Sequence, residues 1–370
     1  MKVVIIGPYP LNGIRSGIKM HNYNLTKYLS QIDSLDLYLV TLGNENLQIG
    51  LDNFKVNVVK WSHLPVIDIY RLKKVILKID PDIIHCQGTY FPYSTVASLL
   101  CNKFKVILTV HGLIQNEMGF MSGFRYLFAK LVASNLEKYS LLKISDVIIC
   151  SPQIEELLMG KNRFNLNIIP NGVEIPKVSE NDDLYDLKHP AILFMGVLEK
   201  IKGLDILIKA VHLIKQSKLN FHLYVAGDGP EKANYQKLVK KLDLEKNVSF
   251  VGYISNNTKK CFYKSIDIFV LPSRYESFGI VLLEAMSFKK PVIASDIGGI
   301  PSIIKHKENG LLFESENTKD LADNLTLLMK NTSLREKISL EGFKTSKSYN
   351  WETIARNTMK LYKEVFKASI

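Results

Sequence analysis

Arginine is scarce in this chain of 370 residues. Lys and Arg together number 48, yet only seven are Arg, and bidentate recognition of bases and phosphates favours Arg. The scarcity counts against nucleic acid as a partner. Cysteine is equally sparse: Cys86, Cys101, Cys150 and Cys261 show no C-x-x-C spacing and mostly sit in apolar runs such as Ile84-His85-Cys86 and Ile148-Ile149-Cys150. They read as core thiols, with neither a disulfide framework nor a zinc site, and fit a reducing cytosol. No stretch reaches the roughly 18 to 20 apolar residues that a membrane span needs. The run Val3-Val4-Ile5-Ile6 stops at Gly7-Pro8, too short for a signal peptide and suited to a first β-strand. A cytoplasmic protein, soluble or peripheral on the inner face of a membrane, is expected. G-x-G-x-x-G follows none of the predicted strands, and Gly227-Asp228-Gly229 lacks the third glycine, which argues against a nicotinamide dehydrogenase.

What is present organises two domains. A chain this long exceeds what one hydrophobic core usually orders, and 46% apolar and 23% charged residues with 21 Gly and 13 Pro exclude a disordered, collagenous or low-complexity polymer. The net charge is +12, with 19 basic against 14 acidic residues up to position 180 and 29 against 22 beyond it. Both halves should attract polyanions, and charge alone does not say which.

Short runs rich in Val and Ile alternate with longer segments of helical period, the pattern of βαβ units around a parallel sheet. Strands are predicted at 3–6, 37–41, 83–86, 106–110, 147–150 and 167–169, then again at 191–194, 222–226, 248–251, 268–271 and 291–294. The alternation therefore runs twice, giving an α/β fold of two doubly wound, Rossmann-like domains. The polar stretch 179–186 lacks an apolar period, so the expected division is 1–173, a linker at 174–188, a second domain at 189–348, and a final amphipathic helix within 349–370 that crosses back toward the first domain.

In open α/β sheets ligands bind beyond the carboxyl ends of the strands, so motifs in loops that follow strands carry the most weight. The richest one is Leu271-Pro272-Ser273-Arg274-Tyr275-Glu276-Ser277-Phe278-Gly279-Ile280-Val281-Leu282-Leu283-Glu284-Ala285-Met286. It leaves a strand and enters a helix, with Glu276 in the loop and Glu284 about two turns along. Gly279 permits close approach of a ligand, and free amides at the helix start suit an anion. A carboxylate beside such a site suits hydroxyl donors, as on a sugar or ribose. The plainer alternative is an acid complementing the helix dipole plus one solvated Glu.

This E-x7-E segment resembles that of retaining GT-B glycosyltransferases of glycosyltransferase family 4, as do Pro291-Val292-Ile293-Ala294, Gly298-Gly299-Ile300-Pro301 and Asn309-Gly310-Leu311-Leu312-Phe313. Ile169-Pro170-Asn171-Gly172-Val173-Glu174 is similar to the family's interdomain I-P-N-G-V-D, the segment 196–203 to its G-R-L-x-x-x-K-G loop, and the segment 226–231 to its A-G-x-G-P-E. The resemblance covers nearly the whole chain. It implies two domains facing a cleft, with a UDP- or GDP-sugar donor on the C-terminal domain and a glycan or lipid-linked acceptor on the N-terminal one. It also implies a retaining hexosyltransferase of cell-surface polysaccharide or glycolipid synthesis that uses no metal and no further cofactor.

By the same resemblance, Lys202 neutralises the diphosphate, Glu284 binds ribose hydroxyls, and Glu276 with the backbone of Phe278, Gly279 and Ile280 holds the sugar and departing phosphate. Gly196 belongs to the donor loop, and Tyr253 beside the Gly252 turn is a candidate base contact. Gly17, in a loop resembling the family's Gly-Gly turn, offers an amide to the diphosphate or acceptor, and His111 at a strand end corresponds to a histidine that reaches the donor sugar. The sequence departs from the pattern at Val197, where the family has Arg, with Arg274 as a candidate substitute. It departs again at Ser302, where a Glu is usual, and at Lys289, where a Gly is usual. Val197 keeps a non-catalytic sugar-nucleotide- or glycan-binding paralogue open, and an epimerase of the same fold is a further alternative. Asp80-Pro81-Asp82 is a literal D-x-D, but it precedes its strand and lies at the wrong edge of the sheet for a diphosphate. The stretch 120–143 carries Phe124, Tyr126, Leu127, Phe128 and Leu131 with Arg125, Lys130, Lys138 and Lys143. It reads either as a basic aromatic helix on an anionic membrane or as an amphipathic core helix.

Overall fold

Runs that are apolar throughout, rather than at every second position, build strands covered on both faces, and the chain forms two sheets of this kind. The computed structural model describes residues 1–11, 17–51, 53–62, 64–121, 123–158, 163–176 and 184–368, apart from the side chains at 124, 125, 256 and 257. By its internal contacts the chain divides into one unit of residues 1–172 with 351–370 and another of residues 173–350.

In the first unit, β1 (Lys2–Ile6) leads through a loop to α1 (Gly17–Leu29), and β2 (Asp36–Gly43), β3 (Leu47–Leu51) and β4 (Phe54–Lys60) follow. Next come α2 (Pro65–Ile79), β5 (Ile83–Gln87), α3 (Tyr93–Leu100), β6 (Lys105–Val110), α4 (Ile114–Met118) and α5 (Gly123–Phe128). A π-helical turn at Ala129–Ala133 joins α5 to α6 (Ser134–Lys143), ahead of β7 (Asp146–Ile149), α7 (Pro152–Leu157) and β8 (Asn165–Ile168). The sheet order is β3-β4-β2-β1-β5-β6-β7-β8, parallel except for the antiparallel edge strand β3. The order reverses between β1 and β5.

The second unit holds β9 (Ala191–Met195), α8 (Leu204–Gln216), β10 (His222–Ala226), α9 (Lys232–Lys241), β11 (Val248–Gly252) and α10 (Asn256–Ser265). It continues with β12 (Ile268–Leu271), α11 (Ile280–Ser287), β13 (Val292–Ser295), β14 (Leu311–Phe313), α12 (Thr318–Lys330) and α13 (Thr332–Ser348). The order β11-β10-β9-β12-β13-β14 is wholly parallel. It reverses between β9 and β12, the position where open α/β sheets bind their ligands.

The α/β reading and the doubled alternation agree with these sheets. Three strands escaped it: β3, the exposed edge strand, β4, which pairs between β3 and β2, and the three-residue β14. The stretch 120–143 is helical without a break from 123 to 143, with a π-helical turn at Ala129–Ala133 inside it.

The last helix, α14 (Trp351–Lys367), joins the first unit. Its buried residues Trp351, Ile354, Ala355, Thr358, Met359, Leu361, Tyr362 and Val365 form one stripe of helical period, which packs with Leu25, Leu29 and Ile169 in the core of that unit. The chain thus passes between the units twice, and the two passages are tied: Val173 bridges Asn350, and its amide donates to the Tyr349 carbonyl at 2.8 Å. Trp351 is only 1% exposed, so Trp351→Ala is expected to cost the first unit about 3–5 kcal/mol, read as a lower midpoint in denaturant unfolding. An unchanged midpoint would contradict the role given to this helix.

Candidate functional site

The loops that follow β9 and β12 flank the reversal in the second sheet. The first carries Gly196, whose amide donates to the Ala226 carbonyl at 3.0 Å, and ends in a 3₁₀ turn at Lys200–Lys202 before α8. The second runs from Pro272 to Gly279 and opens α11. Two glycines let these backbones touch. At Gly203 (φ +66°) a Cβ would lie 1.9 Å from the Pro272 carbonyl oxygen, and at Gly298 (φ +50°) one would lie 2.1 Å from that of Glu276. Both positions need the left-handed region and a bare Cα. The amides of Arg274 and Gly299 complete the fit, donating to Ile201 O at 2.8 Å and Glu276 O at 2.9 Å.

This framework brings Lys202 and Glu276 together, 74 residues apart in sequence, with Nζ donating to Oε2 at 2.7 Å. The Ser273 hydroxyl donates to the same oxygen at 3.4 Å. The Lys202 side chain is 26% and the Glu276 side chain 14% exposed, so the pair is mostly buried but still open to solvent. Beside it, α11 begins at Ile280 directly after Gly279, and its first-turn amides carry the positive end of the helix dipole. Phe278 is buried with its ring edge-on to Tyr349 at 5.9 Å, which fixes the entry of the helix.

Glu284 belongs to a second network. Its Oε2 accepts from the Tyr263 hydroxyl at 3.0 Å and lies 2.5 Å from Lys259 Nζ. Among the described residues no hydrogen bond joins this network to the Lys202–Glu276 pair. Tyr253, after β11, is more than half exposed.

Arg274 does not stand as a free cation in place of the arginine missing at Val197. Its guanidinium donates to Asp205 at 2.8 and 2.9 Å, to Glu316, and to the Lys200 carbonyl at 2.7 Å. Two carboxylates already neutralise it. Its work is to brace the 3₁₀ turn that carries Lys202. Lys289, where the family has glycine, keeps a left-handed backbone at φ +56°.

In the first unit, Gly17 is the first residue of α1, while 12–16 lie outside the described residues. His111 follows β6 and is buried with His21 and His85. His111 Nε2 lies 3.0 Å from Gln87 Oε1, and Gln87 Nε2 lies 3.1 Å from His85 Nε2. His85 Nδ1 lies 2.6 Å from the Tyr362 hydroxyl. A single tautomer pattern satisfies this chain, with Nε2–H on His111 donating to the amide oxygen and Nε2 of His85 accepting from the amide nitrogen. His85 is then neutral, because its Nε2 carries no proton. Burial pushes His85 down to about 3 and His21 to about 4, and burial with the neighbouring His21 and His85 rings holds His111 well below its ordinary value. Asp82, of the D-x-D, is taken up at the amino edge of the sheet, where it accepts from the Lys2 amide at 2.7 Å.

Sequence reading missed Asp205, Glu316, Gln87, Lys259 and Tyr263. Only Gln87, one strand over from His111 at the same sheet edge, carried a positional signal.

Two Rossmann-type parallel sheets, one with a Lys–Glu pair and a helix start at its reversal point, define a GT-B glycosyltransferase fold. The structure of sucrose-phosphate synthase from Thermosynechococcus elongatus superposes with a TM-score of 0.84 over 99% of both chains at 21% identity. Anabaena HepE in complex with UDP-glucose superposes at 0.75 over 98% of this chain and 100% of that one, at 19% identity. The family model for glycosyl transferases group 1 matches residues 179–345, and that for Glycosyltransferase Family 4 matches 15–176. An uncharacterised glycosyltransferase of Methanocaldococcus jannaschii is 31% identical over 96% of both chains. Phosphatidyl-myo-inositol mannosyltransferase of Mycobacterium leprae is 31% identical over 53% of each. The chain belongs to the group 1 glycosyltransferases, glycosyltransferase family 4.

The buried imidazoles set a pH dependence of stability. Their folded pKa values lie below the unfolded value near 6.5, so above that pH both states are neutral and stability is full. Below it the unfolded chain takes up protons that the folded chain refuses. Stability should fall as pH drops from about 6.5 toward 4, by up to about 1.4 kcal/mol per pH unit for each histidine. Denaturant unfolding between pH 7 and 5 reads this slope, and His85→Gln should flatten it. A pH-independent midpoint would remove the buried neutral trio.

Proposed function

We propose that this protein transfers a hexose from a UDP- or GDP-sugar, with retention of anomeric configuration, to a glycan or lipid-linked acceptor in cell-surface polysaccharide or glycolipid synthesis. The Lys202–Glu276 pair beside the start of α11, at the reversal of the second sheet, carries this reading. The second unit is the donor side and the first the acceptor side. The UDP-glucose bound to the structural neighbour HepE is consistent with such a donor, and the mannosyltransferase named above with a lipid acceptor.

Breaking the anomeric C–O bond leaves an oxocarbenium-like carbon and pushes negative charge onto the leaving diphosphate. Lys202 and the α11 amides stabilise that charge from fixed positions. Glu276 orients the ammonium and accepts from a sugar hydroxyl. The acceptor oxygen then bonds to the anomeric carbon on the face that the diphosphate leaves, and its proton passes to a phosphate oxygen. The charge is met by Lys202 and backbone dipoles, so turnover should survive chelation of divalent metals. A screen of UDP- and GDP-sugars for nucleoside diphosphate release tests the reading. Lys202→Met should lower kcat about 10²–10³-fold, as loss of one preorganised donor does. A chain that binds donors without releasing diphosphate would instead be a non-catalytic paralogue.

Peripheral contact with an anionic membrane belongs to the same proposal. Tyr126, Leu127, Phe128 and Leu131 are exposed beside Lys130, whose ammonium lies 5.7 Å from the Tyr126 ring. Trp61, Leu64, Val66 and Tyr70 are likewise exposed at the start of α2, on a helix that also carries Arg71, Lys73, Lys74 and Lys78. Apolar anchors among cations suit anionic lipid surfaces. Co-sedimentation with vesicles should rise with anionic lipid content and fall with salt. Equal binding to neutral vesicles would refute this part.

A further inference from the structure

We infer that Tyr263 and Lys259 are positioning residues that decide which oxygen of Glu284 meets the donor, an inference that rests on the ribose-binding role that the family resemblance implies for that carboxylate. Both groups hold the same atom. The Tyr263 hydroxyl donates to Oε2 at 3.0 Å, and the Lys259 ammonium stands 2.5 Å from Oε2. Among the described residues Oε1 has no hydrogen-bond partner, so it keeps its lone pairs for a ligand. An oxygen that accepts at two lone-pair sites, on a carboxylate fixed from behind, suits a vicinal pair of hydroxyls such as the 2′ and 3′ groups of a ribose.

The supporting groups are themselves fixed. Tyr263 is 1% exposed, its ring stacked on Phe288 at 5.5 Å and tilted against Phe269 at 5.8 Å, so the hydroxyl cannot swing away. Burial, and then the negative charge of Glu284, push its pKa well above the ordinary value and keep it a donor. Lys259 sits one turn earlier on α10, with its ammonium 5.9 Å from the Tyr263 ring and its side chain 18% exposed. Phenylalanine would fill the ring's place equally well. The hydroxyl is needed only for what it bonds.

Calorimetric titration with UDP and with 2′,3′-dideoxy-UDP, and with the corresponding GDP pair, tests this. The native protein should prefer the ribonucleotide by about tenfold to a hundredfold, as hydrogen bonds to a charged group suggest. Tyr263→Phe and Lys259→Met should shrink that ratio several-fold while leaving dideoxynucleotide affinity unchanged, and Lys259→Arg should restore it. Purely structural damage would weaken both nucleotides alike, and that result overturns the inference. Glu284→Gln separates the two levels. If it abolishes the preference while the Tyr263 and Lys259 variants keep the native ratio, the inference is overturned and the donor role of Glu284 stands. If Glu284→Gln also keeps the ratio, or if neither UDP nor GDP binds, the donor role falls and takes the inference with it.

Discussion

The segment 272–276 is held between two neighbouring loops at distances that only bare backbone permits, and the chemistry of the second unit depends on that. Gly203 presses on the carbonyl of Pro272 from the side of β9, and Gly298 presses on that of Glu276 from the side of β13. The amide bonds from Arg274 and Gly299 fix the register of the contact. A Cβ at either glycine would lie 1.9 or 2.1 Å from a carbonyl oxygen of this segment, so the loops could not keep their present positions. Preorganisation here is a property of backbone packing, and the charged pair inherits it.

Electrostatics divide the labour differently in the two units. The second gathers charges in pairs and clamps: Lys202 with Glu276, Lys259 with Glu284, and Arg274 between Asp205 and Glu316. Each of these three cations is thereby aimed at low cost in side-chain freedom. The first unit buries neutral imidazoles on a relay through Gln87. Such a relay is satisfied without any ion, and burial with the neighbouring His21 and His85 rings favours the neutral form of His111.

How much was legible from the sequence follows from how local each determinant is. Buried parallel strands announce themselves as unbroken apolar runs, so β5 and β10 were read almost to the residue. Edge strands give no such run. β3 reads Leu-Gln-Ile-Gly-Leu and is largely exposed, and β14 has three residues. Motif residues in loops that follow strands were legible because position and chemistry coincide there. Lys259 and Tyr263 were not, since they lie on a polar helix with no motif, and only the fold carries them to Glu284. Arg274 shows the opposite failure. Its place in the motif was plain, but its partners Asp205 and Glu316 are 69 and 42 residues away, and nothing local reveals that they claim the guanidinium.

That last point bears on the departure at Val197. On the proposed chemistry the leaving diphosphate is met by an ammonium and a helix start rather than by an ammonium and a guanidinium. A lysine is a compact, strongly hydrated point charge without the fixed fork of arginine, so it needs an external constraint to be aimed. Glu276 and Ser273 supply that constraint through Oε2, and Arg274 supplies it indirectly by bracing the Lys200–Lys202 turn through the Lys200 carbonyl. Losing one cation from the motif is therefore compatible with a working site if the remaining one is held more firmly. The arrangement around Lys202 has that character, because Glu276 holds the ammonium from the loop after β12 and Arg274, itself clamped by Asp205 and Glu316, holds the turn.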